Sequence, residues 1–128
     1  MKKETVKTDR APKAIGPYSQ GIAVGDCEIC YFSGQIPLDP ETGKLVEGDI
    51  AVQTKRVLKN IDALLSSRGM NAQNVVKTTV FLADIADFAK VNEVYAQYFS
   101  VDPPARSCVQ VAALPANAKV EIEVVACK

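Results

Sequence analysis

The chain has 128 residues, 48% of them hydrophobic, which is enough for a single core, and we expect one domain over residues 1–128. Fifteen Lys and Arg residues offset fifteen Asp and Glu residues, so no overall field attracts nucleic acid or an anionic membrane, and a small ligand is the expected partner. Histidine is absent, which excludes Ser-His-Asp and Cys-His catalysis and histidine-ligated metal sites.

The N-terminal stretch, "MKKETVKTDRAPK", has lysines but no apolar run after them. No segment approaches the roughly 20 apolar residues of a membrane span. We therefore expect a soluble, cytoplasmic protein that does not bind membranes. Tyr18, in "GPYSQG", either packs beside a turn or lines a cleft.

The first predicted strand, "CEICYFSGQI" at residues 27–36, ends at the turn residues of "PLDPETGKL". Ser33 and Gly34 near its end are typical of a strand end with a bulge. Cys27 and Cys30 have the C-x-x-C spacing, but residues i and i+3 of a strand point to opposite faces, which disfavours a metal or redox pair. A domain with a full core does not need disulfides, so we expect free thiols at all four cysteines: Cys27, Cys30, Cys108 and Cys127.

A first helix is predicted after Asp49, a suitable N-cap, with Gly69 at its C′ position. Its apolar stripe consists of Val57, Leu58, Ile61, Leu64 and Leu65. Residues 74–84, "NVVKTTVFLAD", are rich in β-branched side chains and predict a mostly buried strand.

A second helix is predicted after Asp84 and ends before Asp102-Pro103-Pro104. Its apolar stripe consists of Phe88, Val91, Val94, Tyr95 and Tyr98. Asn92 lies in this helix, where asparagine is a poor helix former, and solvent exposure is its ordinary explanation.

Two further strands are predicted at residues 106–114 and 119–127. In the second, Val120, Ile122, Val124 and Ala126 alternate with Lys119, Glu121 and Glu123. The order strand, helix, strand, helix, strand, strand predicts an α+β fold with two helices packed on one face of a mixed sheet. The face that carries Glu121 is left uncovered, and either water or another subunit must meet it.

Arg106 is the one charged residue in "PPARSCVQVAAL". In one interpretation, its aliphatic part packs on the sheet and its guanidinium lies in water. In the other, the guanidinium binds a carboxylate or phosphate through two N–H groups. Pro103 and Pro104 stiffen the backbone before it, which favours the second interpretation. Taken alone, Glu121 is explained by the ordinary alternation of polar and apolar residues along a half-exposed strand.

Three segments, "GPYSQ", "SGQIPLDP" and "PPARSCVQVAALPANAKVEIEVVA", resemble the Rid family, the reactive intermediate deaminases also called the YjgF family. The resemblance spans nearly the whole chain. It implies a chorismate-mutase-like fold and a homotrimer with ligand clefts between subunits. It also implies cofactor-free hydrolysis of 2-imino acids, such as 2-iminopropanoate and 2-iminobutanoate from 2-aminoacrylate and 2-aminocrotonate, to 2-keto acids and ammonia.

The resemblance also implies roles for individual residues. Arg106 matches the residue that binds the substrate carboxylate. Glu121 matches the residue that orients the water, together with the Cys108 carbonyl. The Cys108 thiol itself need not act. The substrate-binding positions match Tyr18, Ser33, Gly34 and Asn92.

Strand length restricts how these residues meet. If the last two strands formed a tight hairpin about "PANA", Arg106 and Glu121 would lie about 20 Å apart at ~3.3 Å per residue. We therefore expect either that the last strand inserts elsewhere in the sheet, or that the site combines two chains.

Two rival functions remain open. The chain could be a non-catalytic, chaperone-like trimer that binds small carboxylates in the same cleft. An endoribonuclease or translation inhibitor is disfavoured by the balanced charge and the absence of histidine.

Overall fold

The computed structural model describes residues 2–128 and contains six strands and two α-helices. The elements are β1 (Lys2–Val6), β2 (Gly21–Gly25), β3 (Ile29–Gln35), α1 (Ile50–Ser66), β4 (Val75–Leu82), α2 (Phe88–Tyr98), β5 (Ala105–Gln110) and β6 (Val120–Cys127). Short 3-10 turns precede β4, α2 and β6. None of the helices within these residues has the length and apolar character needed to cross a membrane.

The main sheet has four strands in the order β3-β6-β4-β5. Strands β4 and β5 are parallel and are joined through α2, while β6 is antiparallel to both of its neighbours. Strands β1 and β2 form a separate antiparallel pair that the sequence pattern did not predict. The "KKETV" sequence of β1 is polar and mostly exposed, so it carries no apolar alternation.

Both helices pack on one face of the sheet, as predicted. Alternate residues of β4 and β6, among them Val80 and Ile122, are fully buried beneath the helices. These strand residues pack against the predicted apolar stripe of α1, which includes Val57, Ile61 and Leu65. The fold is the predicted mixed sheet with two helices on one face.

The helix ends agree with the sequence in part. The Asp49 carboxylate accepts a hydrogen bond from the Val52 N–H at 3.0 Å and caps α1 as predicted. Gly69 does adopt a left-handed conformation, with φ +67°. Because the C-cap is Ser67, the C′ residue is Arg68, and Gly69 lies one residue after it instead of at C′ as predicted. Asp84 caps the 3-10 turn Ile85–Asp87 instead of α2 itself.

The last two strands do not form a hairpin. Strand β6 inserts between β3 and β4, so the connection from β5 crosses the end of β4. The Val111 N–H donates to the Leu82 carbonyl at 2.9 Å, and the Ala83 N–H donates to the Lys119 carbonyl at 3.1 Å. The expectation that the last strand lies elsewhere in the sheet is confirmed.

The prediction of four free thiols is wrong, because Cys27 and Cys127 form a disulfide with their Cα atoms 5.8 Å apart. The pairing of β3 with β6 places Cys127 opposite Ile29, and this long-range register is not visible in the linear sequence. Cys30 and Cys108 are free, and Cys27 does not bond to Cys30.

We expect reduction of this disulfide to lower the free energy of unfolding by about 2–5 kcal/mol, because it closes a loop of about 100 residues in the unfolded chain. Urea unfolding at a fixed protein concentration, with and without a thiol reductant, measures the difference. The Cys27→Ser variant should lose the sensitivity to reductant and the Cys30→Ser variant should keep it. An identical unfolding midpoint for the wild type in both conditions would contradict the assignment.

Candidate active site

Arg106 extends from the edge strand β5 toward α2, on the helix face of the sheet. Its Nη1 donates a hydrogen bond of 2.6 Å to Oδ1 of Asn92. Three aromatic rings surround the guanidinium, with their centroids 5.5, 5.5 and 5.1 Å from Cζ: those of Tyr18, Phe88 and Tyr95. These distances allow cation–π attraction, which holds the half-buried charge in place.

No carboxylate within residues 2–128 neutralises Arg106. The ion pairs in that part of the chain are Lys2–Asp26, Glu28–Arg68 and Lys90–Glu93. A guanidinium has five N–H donors in a fixed fork, and the bond to Asn92 uses one of them. The remaining donors suit a ligand carboxylate.

One face of α2 supplies three of these contacts, from Phe88, Asn92 and Tyr95. The Tyr95 hydroxyl is 2.7 Å from Thr78 Oγ1 of β4. Burial raises the pKa of Tyr95 to about 12, so the ring beneath Arg106 is uncharged near neutral pH. Phe88 and Tyr95 were predicted only as members of the apolar stripe of this helix. Their spacing of four and three residues from Asn92 was the signal that the three share a face.

Cys108 lies two residues beyond Arg106 on the same face of β5. Its half-buried side chain packs against the core. Burial raises the pKa of the Cys108 thiol, although the charge on Arg106 opposes the shift. A thiol that stays protonated is consistent with a role for the backbone carbonyl alone.

Glu121, Ser33 and Gly34 form a second group, on the sheet face that the helices leave uncovered. A bulge between Phe32 and Gln35 contains both Ser33 and Gly34. A Cβ atom at Gly34 would overlap the Glu121 carboxylate, so only glycine allows this close approach.

The register of β4 places the two groups on opposite faces. Thr78 pairs with Arg106 and Phe81 pairs with Glu121, and residues three apart in a strand point to opposite sides. With one strand spacing on either side of β4, the Cα atoms of Arg106 and Glu121 lie roughly 14 Å apart. A single chain therefore does not bring their side chains together.

Exposed apolar side chains accompany Glu121 on the uncovered face. Tyr31 is 78% exposed, Ile29 47% and Val109 45%. Alternate positions of β3 and the pairing of Val109 with Phe81 place all three on this face. Contact with another subunit would remove this apolar surface from water.

Comparison with known proteins identifies the family. The family model described as Endoribonuclease L-PSP matches residues 8–128. The human 2-iminobutanoate/2-iminopropanoate deaminase is 51% identical over 97% of this chain and 89% of its own length. The chain belongs to the Rid family.

Solved structures agree with this assignment to the Rid family. A protein of unknown function described as a member of the conserved Rid family, from Yersinia pestis, is 52% identical, with 98% of each chain covered and a TM-score of 0.75. The E. coli protein TdcF with bound serine is 43% identical, again with 98% of each chain covered and a TM-score of 0.75. The family thus includes a relative named as a deaminase, while the family model itself is described as an endoribonuclease.

Proposed function

We propose that this Rid-family chain hydrolyses small 2-imino acids, such as 2-iminopropanoate and 2-iminobutanoate, to 2-keto acids and ammonia. The observation that carries the proposal is the Arg106 guanidinium, ringed by aromatic side chains and without a carboxylate partner in residues 2–128. The deaminase name of the human relative supports the same substrate class.

The proposed site combines two chains of a homotrimer. Arg106, Asn92, Tyr18 and Cys108 come from one subunit, and the group of Glu121, Ser33 and Gly34 comes from its neighbour. The opposite faces occupied by these two groups and the exposed apolar surface around Glu121 support this arrangement. The trimer itself follows the resemblance stated above.

Substrate binding depends on charge and geometry. Arg106 binds the substrate carboxylate through two parallel N–H groups, and the neighbour's Gly34 N–H assists. Tyr18 lines the cleft and Asn92 holds the guanidinium in position. The imine carbon next to the bound carboxylate is electrophilic once its nitrogen is protonated.

Hydrolysis then requires one oriented water molecule. Glu121, with the Cys108 carbonyl, orients the water and takes its proton as the oxygen attacks the imine carbon. The proton passes from Glu121 to the amino group of the tetrahedral adduct. The C–N bond then breaks and ammonia leaves as the C=O bond forms, while the Glu121 carboxylate takes the proton of the adduct's hydroxyl group. No metal, cofactor or histidine takes part in these steps.

A cytoplasmic location stays a prediction. Disulfides are rare in the reducing cytoplasm of mesophiles and common inside hyperthermophiles. The Cys27–Cys127 disulfide therefore favours either an oxidising compartment or a hyperthermophilic source.

The test is release of ammonia and 2-oxobutanoate from imine generated in place by a threonine dehydratase. We expect the protein to accelerate release well above the rate of spontaneous hydrolysis. Tight binding of 2-oxobutanoate without acceleration would contradict the proposal and favour a non-catalytic carboxylate-binding trimer. A second assay with single-stranded RNA should show no cleavage, since the chain has no net positive charge to hold a polyanion.

A further inference from the structure

Ser19 joins the loop that carries Tyr18 to the segment that carries Arg106. Its Oγ donates a hydrogen bond of 2.5 Å to the Pro103 carbonyl, and its N–H donates to the Pro104 carbonyl at 3.1 Å. It also forms an isolated parallel bridge with Ala105. Ser19 is only 8% exposed, although its side chain is polar.

The other hydrogen bonds of residues 8–20 are internal to that loop. Gln20 binds backbone groups of Thr8 and Pro12, and the Ile15 N–H donates to the Tyr18 hydroxyl oxygen. Residues 11–16 are all exposed, so no core packing fixes them. Among these residues, Ser19 alone links the loop by hydrogen bonds to Pro103 and Pro104, the segment just before β5.

The two ends of this link lie next to the proposed binding groups. Tyr18 immediately precedes Ser19, and Pro103 and Pro104 lie just before Arg106. The Tyr18 ring is 5.5 Å from the Arg106 guanidinium carbon. A shift of the loop relative to β5 would change that distance directly.

We propose that Ser19 is a positioning residue that fixes the Tyr18 ring against Arg106 and thereby sets the affinity for the substrate carboxylate. The inference rests on the proposed function. Because Ser19 acts on ligand binding and not on the water, its loss raises KM and leaves kcat nearly unchanged.

The experiment compares Ser19→Ala with Ser19→Thr, which keeps the hydroxyl. We expect KM for 2-iminobutanoate to rise about tenfold in Ser19→Ala, with kcat within about twofold of wild type, and we expect Ser19→Thr to restore much of the affinity. Ser66→Ala is the matched control, because Ser66 is exposed at the end of α1. Thermal unfolding of each variant shows that the fold is intact.

A double variant separates positioning from a general effect on stability. If Ser19 acts through Tyr18, then Ser19→Ala should add little to the KM of Tyr18→Ala. Full additivity would overturn the proposal, as would an unchanged KM in Ser19→Ala.

Nitration of Tyr18 by tetranitromethane, quantified by peptide mass spectrometry, needs no turnover. We expect faster nitration of Tyr18 in Ser19→Ala and unchanged protection of the buried Tyr95. Equal Tyr18 nitration in wild type and Ser19→Ala would overturn the proposal. If the wild type lacks hydrolysis, Kd for 2-oxobutanoate replaces KM, so failure of the proposed function is recognised separately.

Discussion

Replacing Arg106 with alanine is expected to lower kcat/KM for 2-iminobutanoate by about 100- to 4,000-fold. An unpaired carboxylate in a partly desolvated cleft costs about 3–5 kcal/mol, and each 1.4 kcal/mol corresponds to about a tenfold change. Three rings and Asn92 hold the guanidinium where the anion would bind, so no nearby group replaces it. Steady-state kinetics with imine generated in place measures the effect.

Arg106→Lys should also be severely impaired, because an ammonium group does not reproduce two parallel N–H donors. Arg56→Lys is the matched control, since Arg56 lies on α1 and bonds only to Asn60 among the described side chains. A near-normal rate for either Arg106 variant would refute carboxylate binding by this residue.

Replacing Glu121 with glutamine is expected to lower kcat by about 10²- to 10⁴-fold, the usual contribution of a general base. Glutamine keeps the shape of the side chain beside Gly34 but does not accept the proton of the attacking water. Affinity for 2-oxobutanoate should change little, because Arg106 carries the anion binding. Calorimetric titration and steady-state rates together separate the two effects.

Glu123→Gln is the matched control for this change. Glu123 lies two residues along β6 on the same uncovered face, paired with Thr79. Its replacement should leave kcat near the wild-type value. Equal losses in the two variants would show that the effect arises from the charge of the face and not from a specific base.

Much of the fold was predictable because apolar periodicity is strong in the elements that form the core. The alternation in β6 placed the correct residues inside, and so did four members of the predicted helical stripe: Val57, Leu58, Ile61 and Leu65. Leu64, the fifth member, is only partly buried. The pair β1 and β2 was not predictable, because polar, exposed strands lack that periodicity. The Cys27–Cys127 disulfide depends on the register between distant strands, which composition does not reveal.

The candidate site was predictable only in part. The residues assigned to it came from the family resemblance, together with the lone charge of Arg106 in an apolar segment. The contacts of Phe88 and Tyr95 with Arg106 were not predictable. An aromatic residue at helical spacing gives the same sequence pattern whether its ring packs in the core or against a guanidinium. Strand length showed that a hairpin would separate Arg106 from Glu121, but only the register of β4 showed that they lie on opposite faces.

Subunit mixing tests most directly whether Arg106 and Glu121 of different chains form one site. Arg106→Ala and Glu121→Gln chains, each inactive alone, would be co-expressed with different affinity tags and purified through both. Every mixed trimer then contains one site with both native residues, and we predict about one third of the wild-type activity per trimer. Activity no higher than that of either single variant would contradict a site shared between subunits.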